Sequence, residues 1–258
     1  MKILITGSRG YIGYNLIEYL KENEPDAKLI GLDSCVHNDS RSRTQDIPFV
    51  PHDILTAPKI EDLTHVVHLA GKTGVGESWN PNELPSYYEN NVLASKKIFE
   101  TYSDIPVLYA TSSATKEMKS PYAMTKAMVE EIAPENAIGM RFFTVYGGNL
   151  PRTDMFYHKA LSGTLSYVTK TKRDYTRMDF TCECIHSLLM LGEPGKIYDI
   201  GKGNPMSPSD FLKYRDFSLG NLDYSDLPIV SRQGESEETQ ADPRAIEQIL
   251  TEYKIHKL

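Results

Sequence analysis

Residues 2–13, KILITGSRGYIG, decide the fold. Lys2–Thr6 is a short β-rich run, too brief for a helix, and reads as a buried strand. Gly7, Gly10 and Gly13 follow at G-x-x-G-x-x-G spacing. From Tyr11 to Glu22 the apolar residues Ile12, Leu16, Ile17 and Leu20 fall at helical spacing. A strand, a glycine turn and a helix in that order make a dinucleotide cradle. Glycine lets the chain turn tightly and lets a pyrophosphate approach the free N–H groups of the helix N-terminus. Asp33 stands 20 residues beyond Gly13, at the end of the next strand-like run, Lys28–Asp33. A carboxylate there suits the ribose hydroxyls of NAD and repels a 2′-phosphate. Arg41 and Arg43 keep NADP as the alternative, several residues past the expected position.

Working outward, Pro48–Pro51, His65–Ala70, Pro106–Thr111 and Ile138–Phe142 read as further strands, with helices at Asn90–Tyr102 and Pro121–Ile132. Strands alternating with helices give a doubly wound parallel α/β sheet of Rossmann type. After about Gly148 the rhythm changes. Helical patterns occupy Asp154–Ser162, Asp179–Leu191, Ser207–Phe217 and Asp242–Leu250, and strand-like runs occupy Thr164–Thr169 and Lys196–Ile200. The expected division is a Rossmann domain over 1–148 and a small substrate-binding lobe over 149–258, with interleaving allowed. Gln233–Gln240 reads as a polar surface loop.

The chain has 258 residues, is 40% hydrophobic and 24% charged, and carries a formal charge of −7. This is the composition of a globular protein with its own core and argues against a nucleic-acid partner. No apolar run is long enough for a bilayer, so no membrane association is expected. Three cysteines suit a reducing cytoplasm and no disulfide framework.

The chemistry-bearing pattern is Tyr122-x-x-x-Lys126, with Ser112 and Ser113 upstream at a strand end. Residues four apart share a helix face. A free tyrosine, with a pKa of about 10, is a poor base at neutral pH. A neighbouring ammonium and a cationic nicotinamide favour the phenolate, and a serine hydroxyl can hold the reacting oxygen.

These segments together resemble the extended short-chain dehydrogenase/reductases, and within them the NAD-dependent nucleotide-sugar epimerase/dehydratase group. ITGSRGYIG is similar to the family's TGGAGFIG turn, which implies that Tyr11 and Ile12 accompany the glycines at the cofactor, with Ser34 beside Asp33. His52-Asp53-Ile54 resembles the segment that meets the adenine, implying Asp53 and Ile54. HLAGKTGVGES, residues 68–78, resembles the strand end beside the cofactor, implying Leu69, Ala70 and Gly71, with Thr73 toward the substrate. YYENNV supplies Asn91 to the cofactor. ATSSAT and SPYAMTK supply Ser113, Tyr122 and Lys126 as the catalytic residues. RFFTVYG and PRTDM look most like UDP-glucuronate 4-epimerases and imply Thr144 and Arg152 near the sugar, with Arg152 suited to a hexuronate carboxylate. KRDYT and SRQGE resemble the diphosphate-binding segments and imply Arg173 and Arg232. VGES and YYENNV look more like UDP-galactose 4-epimerases, so the expected substrate is a UDP-sugar, with glucuronate ranked ahead of galactose.

The resemblance implies epimerisation at C4 by transient oxidation to a keto-sugar and hydride return. Dehydratases of the group usually carry Thr-Asp-Glu on the serine strand, and this chain has Thr111-Ser112-Ser113. The alternatives are a net nucleotide-sugar oxidoreductase, which uses the same Ser, Tyr and Lys, and a dinucleotide-binding sensor without catalysis. Relatives dimerise through a four-helix bundle, which implies a homodimer through the helices at Asn90–Tyr102 and Pro121–Ile132. One departure stands out: eight residues, Ala114 to Pro121, separate Ser113 from Tyr122, where the family has a loop of about two dozen. The expectation is a more open pocket, or one that a partner completes.

Cys182-x-Cys184-x-His186 fits no common zinc spacing, and no metal site is expected. His68 reads as packing or cofactor-adjacent, and Phe142, Phe143 and Tyr146 as core.

Overall fold

The computed structural model describes residues 1–36, 44–214 and 226–256. Arg41, Arg43 and the end of the Ser207–Phe217 pattern lie outside the described residues. In chain order the elements begin β1 (Lys2–Thr6), α1 (Tyr11–Asn23), β2 (Lys28–Leu32), β3 (Phe49–Val50) and β4 (His65–His68). A continuous helical segment, α2, then runs through Leu84–Tyr87, a π-helical turn at Tyr88–Leu93, and Ala94–Thr101. β5 (Val107–Ser112), α3 (Pro121–Ile132), β6 (Ala137–Phe142), β7 (Thr144–Tyr146) and α4 (Phe156–Leu161) follow. The chain continues through β8 (Val168–Thr169), β9 (Lys172–Arg177), α5 (Met178–Leu191), β10 (Ile197–Ile200), β11 (Pro205–Met206), α6 (Pro208–Tyr214), β12 (Ile229–Val230), β13 (Glu238–Thr239) and α7 (Arg244–His256).

Among the described residues, seven parallel strands form the main sheet in the order β10-β6-β5-β4-β1-β2-β3. Alternation along β1 explains why both faces must be covered. Ile3 and Ile5 pack with Leu16 and Leu20 of α1, Ile185 and Leu188 of α5, and Ile246 and Leu250 of α7. Leu4 points the other way, to Ile98 and Phe99 of α2 and Val129 of α3. Ile3, Leu4 and Ile5 are fully buried, each contributing about 1.5–3 kcal/mol relative to exposure. A charge on any of these three residues would break one layer.

Residues 149–258 contribute both to the main sheet and to the structure outside it. β10 pairs with β6 at the sheet edge, and α5 and α7 cover the face that holds Ile3 and Ile5. The edge of β6 offers a free row of backbone groups, and the apolar strand Ile197–Ile200 satisfies it. What remains outside the main sheet is built on β9, which pairs with β7, β11 and β13, and on the β8–β12 pair. Its core holds Tyr146, Val168, Phe211 and Leu212, and Tyr175 stacks on Phe211 at 3.9 Å between ring centroids.

Three local expectations change. The Thr164–Thr169 strand is ordered as β only at Val168–Thr169. The Gln233–Gln240 stretch is not all loop, because Glu238–Thr239 pairs with Lys172–Arg173. The last helix continues to His256, with Ile246, Ile249, Leu250 and Tyr253 on its buried face. Cys182 and Cys184 are buried in the core. The His186 ring bridges Glu24 Oε1 and Tyr253 Oη, each at 2.8 Å, and so ties α5 to α7 and to the end of α1.

Candidate active site

The strand order reverses between β1 and β4, the position at which doubly wound sheets open a crevice at their carboxyl ends. Both flanking strand ends carry expected residues. Gly7 has φ +66°, and a Cβ on it would lie 2.7 Å from the Ala70 backbone nitrogen. A Cβ on Gly13 would meet the Gly7 carbonyl oxygen at 2.2 Å. The turn therefore admits no side chain at either position. Gly10 is the N-cap of α1 and offers no side-chain cap, and the first turn carries no acid. The helix N-terminus is thus left to an external anion. Ser8 Oγ is buried beside this turn without a hydrogen-bond partner among the described residues. These features fit a dinucleotide pyrophosphate.

Asp33, just past β2, accepts from the Arg9 backbone N–H at 3.0 Å and the Cys35 N–H at 2.8 Å, which fixes its carboxylate at the mouth of the turn. Ser34 beside it is exposed. Tyr11 is buried and donates to the Gly147 carbonyl, tying the turn to the segment after β7, and Ile12 packs on the core. Asp53 is exposed and caps Leu55 N–H at 2.8 Å, while Ile54 is buried.

α3 starts where the sequence stops it starting earlier: Pro121 occupies its first turn, and the Ser120 hydroxyl accepts from Ala123 N–H at 3.2 Å. Tyr122 and Lys126 are both buried on this helix. Burial pushes the Tyr122 phenol up, and the Ser112 hydroxyl and the Arg152 guanidinium oppose that rise. Burial brings the Lys126 ammonium down to about 8. Its Nζ donates to the Ala110 carbonyl at 3.0 Å, and a Cβ on Gly71 would lie 3.0 Å from it. Gly71, at the end of β4, is therefore the space through which Lys126 reaches the crevice. Ser112, at the end of β5, is the serine whose hydroxyl opposes the rise of the Tyr122 pKa. Ser113 instead opens the 3₁₀ turn Ser113–Lys116.

Asn91 joins these parts. Its Oδ1 accepts from Lys72 N–H at 2.8 Å, and its Nδ2 donates to the Lys72 carbonyl at 3.1 Å and to Thr125 Oγ1 at 2.9 Å. The π-helical turn that carries Asn91 adds a residue to the helix and aims this side chain at β4. His68 is fully enclosed between Thr6 Oγ1 at 2.7 Å and Ser95 Oγ at 3.0 Å. Burial, with help from Lys126, lowers its pKa to about 3, so it is a neutral packing group.

Sequence reasoning missed several supporting residues. The Tyr87 hydroxyl donates to the carbonyls of Thr73 and Gly74 and its ring meets Tyr122 edge-on at 6.2 Å. Glu130, two turns after Tyr122, accepts from Thr111, Thr115 and Arg141. Tyr87 stands in the quoted YYENNV string and was the legible one; Glu130 becomes visible only when β5 and β6 are paired.

Thr73 and Arg152 meet: the guanidinium donates to Thr73 Oγ1 at 2.5 Å while Asp154 holds its other edge. Thr144 is half-buried at the start of β7, opposite Tyr175. Arg173 and Arg232 converge on Glu235, at 3.7 and 3.6 Å.

The short Ser113–Tyr122 connection is not left open. Lys116 Nζ reaches Asp199 Oδ2 at 2.5 Å and the Gln240 carbonyl at 3.1 Å. Gly234, with φ +74°, packs so closely that a Cβ would lie 2.7 Å from Trp79 Nε1 and 2.8 Å from the Lys119 carbonyl. The chain's own 231–236 segment thus lies against the shortened loop. A shorter loop leaves space, and this segment and Trp79 fill it.

Comparison with known proteins follows the same lines. The profile described as the NAD dependent epimerase/dehydratase family matches residues 3–201. An uncharacterized UDP-glucose epimerase of Bacillus subtilis is 27% identical over 78% of this chain and 77% of its own length. UDP-glucuronate 4-epimerase 4 of Arabidopsis thaliana is 26% identical over 93% of this chain and 68% of its own length. The crystal structure of UDP-glucuronic acid 4-epimerase from Bacillus cereus, in complex with UDP-glucuronic acid and NAD, superposes with a TM-score of 0.82. That match has 24% identity and covers 97% of this chain and 93% of the other.

Proposed function

The chain belongs to the NAD-dependent epimerase/dehydratase family, and from that premise we propose that it epimerises a UDP-sugar at C4, with UDP-glucuronate the preferred substrate. The observation that carries this reading is that Tyr122, with Ser112 acting on its phenol, and Lys126, with its Nζ beside Gly71, lie at the carboxyl ends of β4 and β5 next to the Gly7 turn. The absence of an Asp-Glu pair after Thr111 favours epimerisation over dehydration. The similarity to a UDP-glucuronate 4-epimerase supports the uronate preference.

The Gly7–Gly13 turn, Asp33, Asn91 and Lys126 would hold NAD, which when bound would supply a hydride acceptor that then serves as the donor. Tyr122 as phenolate takes the proton of the C4 hydroxyl and returns it when the keto-sugar has turned its other face. The Lys126 ammonium favours the phenolate by its charge. Ser113 holds the reacting oxygen, and Ser112 sets the Tyr122 phenol. Arg152, steadied by Thr73 and Asp154, receives the hexuronate carboxylate, and Thr144 borders the sugar. Arg173 and Arg232 take the diphosphate, since each guanidinium can donate two hydrogen bonds.

The protein acts as a homodimer in this reading. Met124, Met128 and Ile132 form an exposed apolar stripe along α3, next to exposed Leu84 and Tyr88 of α2, a surface that suits a second copy. A dimer mass by light scattering, halved by Met128→Glu, tests it. Three free cysteines support a cytoplasmic location. Among the described residues no helix is long and apolar enough to cross a membrane. Incubation with NAD and UDP-glucuronate tests the activity: UDP-galacturonate forms without net NADH. Net NADH would instead make the protein an oxidoreductase.

A further inference from the structure

Glu235 occupies an unusual place. Its side chain is 12% exposed and stands between Arg173 and Arg232, yet its nearest approaches to them are 3.7 and 3.6 Å. Hydrogen-bonded pairs of this type close to about 2.7–2.9 Å. Both guanidiniums make their hydrogen bonds elsewhere. Arg173 Nη1 donates to the Ser236 carbonyl at 2.9 Å, and Arg232 Nη2 donates to the Tyr167 hydroxyl. Glu235 Oε2 is buried with no hydrogen-bond partner among the described residues. The carboxylate is therefore held by charge alone, and it leaves donors of both arginines uncommitted.

The surrounding cleft, of about 580 Å³, carries Lys170, Lys172 and Arg232 against Glu235, Glu237 and Glu238. Among these six lining residues the positive and negative groups balance. A dianion entering the cleft gains little unless one carboxylate gives way, and Glu235 is the one that stands between both arginines with a buried oxygen that makes no hydrogen bond among the described residues.

We propose that Glu235 is a built-in counter-anion of the diphosphate site: in the free protein it holds the place between Arg173 and Arg232 that the phosphates of a nucleoside diphosphate take, and it weakens their binding. The proposal rests on the reading of Arg173 and Arg232 as diphosphate ligands. The competition keeps the two guanidiniums convergent without a ligand and eases product release. It disfavours ligands with a single negative charge, which cannot replace the carboxylate at both arginines.

The test is calorimetric titration of the full chain at low ionic strength with UDP and, separately, inorganic pyrophosphate, in the wild type, Glu235→Gln and Glu235→Ala. The expected result is binding of both probes about five-fold tighter in both variants, the size of a partly exposed ion pair. Damage to the fold would weaken binding, so a gain is diagnostic. Equal or weaker binding by the variants, or no binding of either probe by any form, overturns the proposal. If the variants bind pyrophosphate more tightly while UDP binds no better than pyrophosphate in any form, the counter-anion stands and the nucleotide-sugar reading falls. If the wild type epimerises UDP-glucuronate and binds UDP but the variants do not tighten, the counter-anion alone falls.

Discussion

Arg152 and Thr73, 79 residues apart in the chain, are joined by a guanidinium-to-hydroxyl hydrogen bond of 2.5 Å. The contact links the loop after β4 to the segment after β7, and it leaves a cation close enough to Tyr122 to favour its phenolate. Arg152→Gln is expected to raise KM for UDP-glucuronate at least ten-fold more than KM for UDP-galactose. That is the size of one charge-assisted hydrogen bond to a carboxylate. Steady-state kinetics on both sugars decide it, and an equal effect on both would remove the carboxylate role from Arg152.

The two serines are expected to separate. Ser112 favours the Tyr122 phenolate, so Ser112→Ala should raise the tyrosine pKa and move the acid limb of the kcat/KM profile to higher pH. Ser113→Ala should lower kcat by about 100-fold, the loss of one donor to the reacting oxygen, without moving that limb. A pH profile of each variant checks this, and a shift in Ser113→Ala but not in Ser112→Ala would reverse the assignment.

His68 makes stability depend on acid. Its folded pKa is about 3, below the ordinary 6.5, because burial excludes the charged ring. The unfolded chain takes up the proton first as pH falls. The contribution is therefore whole above pH 6.5 and is lost between there and about 3. At pH 5 the loss is about 2 kcal/mol. Urea unfolding at pH 7 and pH 5 should show this loss in the wild type and a smaller one in His68→Gln. Equal losses would mean that other groups carry the effect.

Gly234 is held at φ +74° against Trp79 and the Lys119 carbonyl. Alanine there incurs roughly 1–2 kcal/mol of backbone strain and pushes the 231–236 segment off the shortened loop. Gly234→Ala is expected to lower Tm by several degrees, raise KM for the nucleotide sugar and shift the emission of Trp79, the sole tryptophan. Unchanged KM and emission would separate this segment from the substrate site.

Much of this was legible because local rules and tertiary needs agreed. Lys2–Thr6, Tyr11–Glu22 and Pro121–Ile132 carry period and glycine or proline punctuation in the chain itself, and they fold as Lys2–Thr6, Tyr11–Asn23 and Pro121–Ile132. What was hidden depends on pairing across distance. The strand Glu238–Thr239 has no apolar alternation and exists because β9 offers an edge. Ile197–Ile200 read correctly as a strand, but its place beside β6 in the main sheet follows from an open edge and not from any local signal. The strand continues through Ser112 and the 3₁₀ turn begins at Ser113, so the two adjacent serines stand in different elements, a division that the string ATSSAT does not mark. The packing of Gly234 on Trp79 joins residues 155 positions apart, and neither carries a sequence signature of the other.

The most direct test of C4 epimerisation is proton NMR of the sugar ring during incubation of the protein with NAD and UDP-glucuronate in deuterated water. Hydride that leaves C4 and returns from the same bound dinucleotide gives UDP-galacturonate with hydrogen, not deuterium, at C4, and no net NADH. The same sample with Tyr122→Phe should show no conversion. Deuterium at C4, or an unchanged sugar in the presence of bound NAD, would contradict the account.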